Sequence, residues 1–137
     1  MDSLYAKLPN GESIQVNFSK GQPDDLAVRV EALLENWQIT PSGKGLKKEF
    51  LFKTFNNAWK FMETVAQECK AQRHHPEWSN LYNRVTIEWT THRPEGLSAK
   101  DVDMAEFCDR TASEIGLKSS ETSAPAGASS GQSKPAQ

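Results

Sequence analysis

Between residues 24 and 117 the apolar positions alternate between a helical and a strand period. Leu26, Val30, Leu33, Leu34 and Trp37 recur at spacings of four, seven, eight and eleven, one stripe of a helix opening at Asp24-Asp25. Residues 37–40, the turn Pro41-Ser42-Gly43-Lys44-Gly45, and residues 46–54 with Phe50 and Phe52 on one pleat face predict a hairpin. Phe55, Ala58, Trp59, Met62, Val65, Ala66 and Cys69 then repeat at three and four, predicting a second helix from Phe55 to about Gln72. Val85, Ile87 and Trp89 alternate with Arg84, Thr86, Glu88 and Thr90, the period of a half-buried strand, and Tyr82-Asn83 predicts a tight return from a short strand near residues 79–82.

Ser98 followed by Asp101 makes a capping box with Asp in place of Glu, and Leu97 with Val102 supplies the hydrophobic staple. A third helix therefore starts there and runs through Met104, Ala105, Cys108 and Thr111 to about Ile115, closed by Gly116. The order is helix, strand, strand, helix, strand, strand, helix. Hairpin-linked strands are antiparallel and three amphipathic helices need an apolar face to cover. The expected class is α+β, a four-stranded antiparallel sheet with three helices packed on one face.

The ends read differently from this body. Residues 1–23 are polar, with Pro9-Asn10-Gly11 and Gly21-Gln22-Pro23, and their short alternation Ile14, Val16, Phe18 fits one strand or a docked arm. They form an N-terminal extension. Residues 118–137 are almost wholly Ser, Ala, Gly, Pro, Gln and Thr, too poor in apolar surface to offset the entropy of ordering them, so a disordered low-complexity tail is expected. The domain proper spans 24–117.

Composition narrows the function classes. The 137 residues carry a net charge of −2, which gives no basic footprint for phosphate and argues against direct nucleic-acid binding. With a mean hydropathy of −0.67 and no apolar run near the roughly 18 residues of a membrane span, no membrane association is expected. The first residues lack the pattern of a signal or transit peptide, which makes cytoplasmic residence the default, with the nucleus left open. Cys69 and Cys108 fall in apolar helical stretches without CxxC spacing and read as core thiols.

The chemistry concentrates in one region. His74, His75 and His92 fall within nineteen residues, two after the second helix and one after the last strand. Imidazole both gives and takes a proton near neutrality, so these groups fit acid/base catalysis. The alternative is a histidine pair favoured by the helix dipole and an ordinary loop histidine. A three-histidine zinc site, and with it a metal-dependent hydrolase, is disfavoured: adjacent residues point apart, and no HxH or HxxxH spacing occurs. No GxSxG elbow or P-loop is present, and Gly43-Lys44-Gly45 reads as a hairpin turn.

The stretch from His74-His75-Pro76-Glu77-Trp78 through Tyr82-Asn83, Thr91-His92 and Gly96-Leu97-Ser98 to Asp101 resembles the pterin-4a-carbinolamine dehydratases. That family's pattern is an acidic, Lys or His residue, three positions, His-His-Pro, five or six positions, an aromatic, nine positions, His, and an Asp eight or more residues on. Lys70, His74, His75, Pro76, Tyr82, His92 and Asp101 meet it element by element, and the likeness runs from about Leu26 to Ile115. The resemblance implies dehydration of 4a-hydroxytetrahydrobiopterin to quinonoid dihydrobiopterin and water, in tetrahydrobiopterin recycling alongside an aromatic amino acid hydroxylase. The pterin is substrate, and no metal or other cofactor is implied.

By the same resemblance His74 and His92 are general acid and base, His75 binds and orients the pterin, and main-chain groups around Thr90 and Thr91 hydrogen-bond its ring. Pro76, Trp78 and Tyr82 shape the site. Asp101 divides between capping the third helix and orienting a histidine or the substrate. Lys70 stands where many members carry Glu, and a cation there favours neutral histidine. The resemblance also implies a homodimer or homotetramer. The competing reading on the same fold is a protein-interaction module, the dimerisation cofactor of a transcription factor.

Overall fold

The computed structural model describes residues 2–118. The disordered tail expected over 118–137 lies, apart from Lys118, outside the described residues. In chain order the elements are β1 (Asp2–Lys7), β2 (Ser13–Phe18), α1 (Leu26–Leu33), β3 (Gln38–Ile39), β4 (Gly45–Leu51), α2 (Phe55–Gln72), β5 (Glu77–Leu81), β6 (Arg84–His92), β7 (Glu95–Gly96) and α3 (Ala99–Ile115). The main sheet has the order β3-β4-β6-β5, all antiparallel, with two-residue β7 turning back onto the end of β6. The α+β class and the four-stranded antiparallel sheet expected from the sequence are therefore present.

Strand β6 shows why the helices share one face. Val85, Ile87, Trp89 and Thr91 are buried, while Thr86, Glu88 and Thr90 between them stay half-buried. The inward set meets α3, which packs against α1, α2, β4 and β6 and buries Val102, Met104, Ala105 and Cys108. Phe50, Phe52 and Phe61 form the centre of the core, with ring centroids 4.8 Å apart for Phe50–Phe61 and 5.0 Å for Phe52–Phe61. Asp109 ties the far end of α3 to the sheet: its two oxygens accept from Trp37 Nε1 at 3.0 Å and Lys48 Nζ at 2.8 Å.

One detail of α2 departs from the periodicity. Its buried residues are Ala58, Phe61, Val65 and Cys69, with Met62 partly buried, whereas Phe55 and Trp59 are 43% and 53% exposed and stack on each other at 6.3 Å. Both stripes satisfy a three-four spacing, and only the direction from which the sheet approaches selects Phe61 over Trp59.

The N-terminal segment is more than a single strand. Strands β1 and β2 form an antiparallel hairpin around Pro9-Asn10-Gly11, with Leu8 N–H donating to the Glu12 carbonyl at 2.7 Å and Gly11 at φ +93°. Ala6, Val16 and Phe18 are buried against the domain, and Phe18 pairs in parallel with Leu97 just before α3. Lys7 N–H donates to Glu31 Oε2 at 2.9 Å, fastening the hairpin to α1.

Candidate active site

The histidine pair is placed by the end of α2. Arg73 adopts the left-handed conformation (φ 55°, ψ 44°), and the N–H groups of Arg73 and His74 both donate to the Cys69 carbonyl. This single residue in a left-handed turn stops the helix and redirects the chain, and Pro76 then commits it to the extended run into β5. His74 is turned inward, its side chain only 11% exposed, while His75 is exposed.

The inward turn brings His74 onto two partners from other elements. Its ring stacks on the indole of buried Trp89, centroids 5.7 Å apart and planes 21° from parallel. Its Nε2 lies 2.5 Å from Oδ1 of Asp101, a wholly buried carboxylate on the first turn of α3. The other oxygen, Oδ2, accepts from the Ser98 N–H at 2.9 Å and the Thr91 hydroxyl at 2.8 Å. Ser98 Oγ stands 2.6 Å from Thr91 Oγ1 and accepts from the Lys100 N–H at 3.2 Å. The donors run in one direction, from Lys100 N–H through the Ser98 and Thr91 hydroxyls to Asp101 Oδ2.

This order has a consequence for His74. A buried carboxylate whose Oδ2 is filled by donors presents Oδ1 as an acceptor, so the proton between the pair belongs on His74 Nε2. Nδ1 is left as the ring nitrogen turned away from Asp101. Capping and histidine orientation, set out as alternatives from the sequence, are both performed by Asp101, one with each oxygen.

Most of the remaining candidates are spread along β6, with Tyr82 in the β5–β6 turn at the end opposite Thr91 and His92. Thr91 faces inward, and the next residue, His92, is exposed at the end of β6, paired with Glu95 across the turn into β7. Among the described residues no hydrogen bond, ion pair or ring contact joins the three histidines; His74 is linked to the strand of His92 by its stack on Trp89 and through Asp101 to Thr91. Glu95 is held below the usual carboxylate range chiefly by Lys44, 2.7 Å away, with a smaller pull from His92. The Thr90 hydroxyl donates to the Lys44 carbonyl at 2.6 Å.

Trp78 is half-buried opposite Ile87 and packs on the core, Tyr82 is exposed at φ +55° in the β5–β6 turn, and Lys70 is exposed in the last turn of α2. Among the described residues no group of three His, Cys, Asp or Glu side chains is placed to hold a metal ion. A hollow of about 530 Å³ over Gln38, Lys47, Glu49 and Thr86 contains none of the candidate residues in its lining.

The periodicity did not single out Trp89 or Ser98 as site residues. Trp89 was legible as an inward strand residue two positions before Thr91, and Ser98 as a helix cap; neither signal says that a histidine from α2 lands between them. The Trp89 indole N–H finds no oxygen or nitrogen acceptor among the described residues and is left beside the Cys108 thiol, a soft acceptor.

The match to known proteins covers this same region. Residues 19–111 fit the family model described as pterin 4 alpha carbinolamine dehydratase. A Bordetella avium protein bearing a provisional pterin-4-alpha-carbinolamine dehydratase name is 44% identical over 92 residues, 67% of this chain and 84% of its own. A Rhodospirillum rubrum protein with the same provisional name is 51% identical over 75 residues, 55% of this chain and 78% of its own. The crystal structure of a transcriptional coactivator/pterin dehydratase from Brucella melitensis superposes with a TM-score of 0.60 at 32% identity, covering 66% of this chain and 96% of that one. The chain belongs to the pterin-4a-carbinolamine dehydratase family, a family of hydro-lyases.

Proposed function

We propose that the protein dehydrates 4a-hydroxytetrahydrobiopterin to quinonoid dihydrobiopterin and water, with His74 and His92 as the acid/base pair. The 4a-hydroxyl leaves with a donated proton as water, the hydrogen on N5 is taken by a base, and its electrons form the C4a–N5 double bond. The observation that carries this reading is the 2.5 Å contact of His74 Nε2 with buried Asp101, which supports proton exchange at Nδ1 and favours the imidazolium whenever His74 holds the second proton. His92, exposed at the end of β6, takes the complementary role, and the two exchange roles between substrate stereoisomers. His75 and the main chain at Thr90 and Thr91 hold the pterin, with Pro76, Trp78 and Lys70 on the same side; Tyr82, at the far end of β6, lies away from it in this chain.

Assembly into a homodimer or homotetramer belongs to the same proposal, as does a cytoplasmic setting beside an aromatic amino acid hydroxylase. β5 ends the sheet order and carries Leu81 at 72% exposed. A single monomer-mass peak in light scattering at micromolar concentration would refute the assembly. The catalytic proposal is tested by following dehydration of freshly generated substrate against its spontaneous background. Wild type accelerates the reaction, and His74→Ala and His92→Ala each remove most of the gain, about 10²-fold or more. A folded wild type giving only background would leave the interaction-module reading in its place.

A further inference from the structure

We propose that the N-terminal hairpin is a positioning element of the candidate site: Asn17 and Ser19, where β2 ends, hold the β6–β7 turn that directly follows His92. The inference rests on the dehydratase reading only for what His92 does there. Two separate sets of contacts converge on that turn.

The first is direct. β2 runs on beside the start of α3, with Leu97 N–H donating to the Asn17 carbonyl at 2.9 Å and Ser19 N–H to the Leu97 carbonyl at 2.8 Å. Ser19 is fully buried, and its hydroxyl donates to the Pro94 carbonyl at 2.7 Å, inside the turn between His92 and Glu95. The two backbones approach so closely that a Cβ on Gly96 (φ +129°) would lie 2.6 Å from Ser19 N and 2.7 Å from Phe18 C. Only glycine fits there.

The second set reaches the turn through the β3–β4 loop. Asn17 N–H donates to the Gly43 carbonyl at 2.7 Å, and Asn17 Nδ2 donates to the Ser42 carbonyl at 2.8 Å. The next residue, Lys44, pairs with Glu95 at 2.7 Å and accepts from the Thr90 hydroxyl through its carbonyl. Asn17 therefore anchors a loop that grips the chain on both sides of His92. A hairpin serving only to cover the core would need no more than the apolar contacts of Val16 and Phe18, and Asn17 lies outside the 19–111 region matched to the family.

The test uses full-length Asn17→Ala, Ser19→Ala and Val16→Ala, each followed by imidazole NMR resonances, thermal midpoint and dehydration kinetics. Asn17→Ala is the milder change and keeps the test available if Ser19→Ala folds poorly. The expected result is displaced His92 resonances with His74 resonances in place. In the same variants kcat falls about tenfold and KM stays within about twofold. Val16→Ala, which trims packing but keeps the hydrogen bonds, lowers the thermal midpoint and leaves His92 where it was. His92 resonances that coincide with wild type in both polar variants would overturn the proposal, whatever the midpoint does. A wild type without dehydratase activity would remove the functional reading alone, because the resonances still decide whether the hairpin positions His92.

Discussion

Asp101 holds His74 with one carboxylate oxygen and the first turn of α3 with the other. The position of the imidazole is thereby tied to a helix start, among the more rigid features a small domain offers, rather than to the loop from which His74 itself projects. The stacked Trp89 ring fixes the plane of the imidazole, and Asp101 fixes which of its nitrogens faces inward.

Replacing Asp101 by Asn separates the two duties. The amide oxygen can still accept from Ser98 and Thr91, but the amide NH2 then faces His74 Nε2, forcing the proton onto Nδ1. Asp101→Asn is expected to fold and to lose about 10²- to 10⁴-fold in kcat. Asp101→Ala also leaves the buried Ser98 N–H without its acceptor and should cost about 2–4 kcal/mol, read by urea denaturation. Comparable activity in wild type and Asp101→Asn would exclude the assignment of Nδ1 as the exchanging nitrogen.

The choice of stripe on α2 predicts unequal effects from two aromatic residues two positions apart. Phe61→Ala empties the space against Phe50 and Phe52 and should cost about 3–5 kcal/mol. Trp59→Ala, on the exposed side against Phe55, should change the stability of the isolated chain by less than about 1 kcal/mol. Denaturant midpoints of the two variants check the ranking, and equal losses would contradict the packing described.

The two cysteines predict behaviour at high pH. Burial pushes the Cys69 thiol up to about 11, and it pushes Cys108 higher still, against a small opposing pull from Trp89. Both should resist a thiol reagent at pH 8 in the native state and react on unfolding. The folded protein binds these protons more tightly than the unfolded chain, so their contribution to stability is complete below pH 9 and falls as pH rises through about 11. A denaturant midpoint that rises between pH 9 and pH 11 in wild type, relative to Cys69→Ala, would contradict that sign.

Much of the architecture was legible because it depends on local periodicity. The three helices, the alternation along β6 and the Ser98–Asp101 box rest on neighbours within a few residues, and each is present. The N-terminal residues were harder: Ile14, Val16 and Phe18 fitted one strand or a docked arm, while the partner strand β1 has only the faint alternation of Leu4 and Ala6, and Leu4 is 49% exposed. A strand whose outward residues face water and whose mate is supplied by a turn eight residues on leaves little trace in hydropathy.

By itself the sequence determined that the three histidines flank a helix end and a strand end, and that the body folds as helices over an antiparallel sheet. These follow from residue type and from periods of two and 3.6, which are properties of the chain taken a few residues at a time. The tertiary structure alone decided that Phe61 rather than Trp59 enters the core and that Asp101 serves His74 as well as its own helix. It alone decided that Asn17 and Ser19 reach the turn beside His92. Each depends on where elements distant in sequence approach one another, and no local pattern encodes that approach.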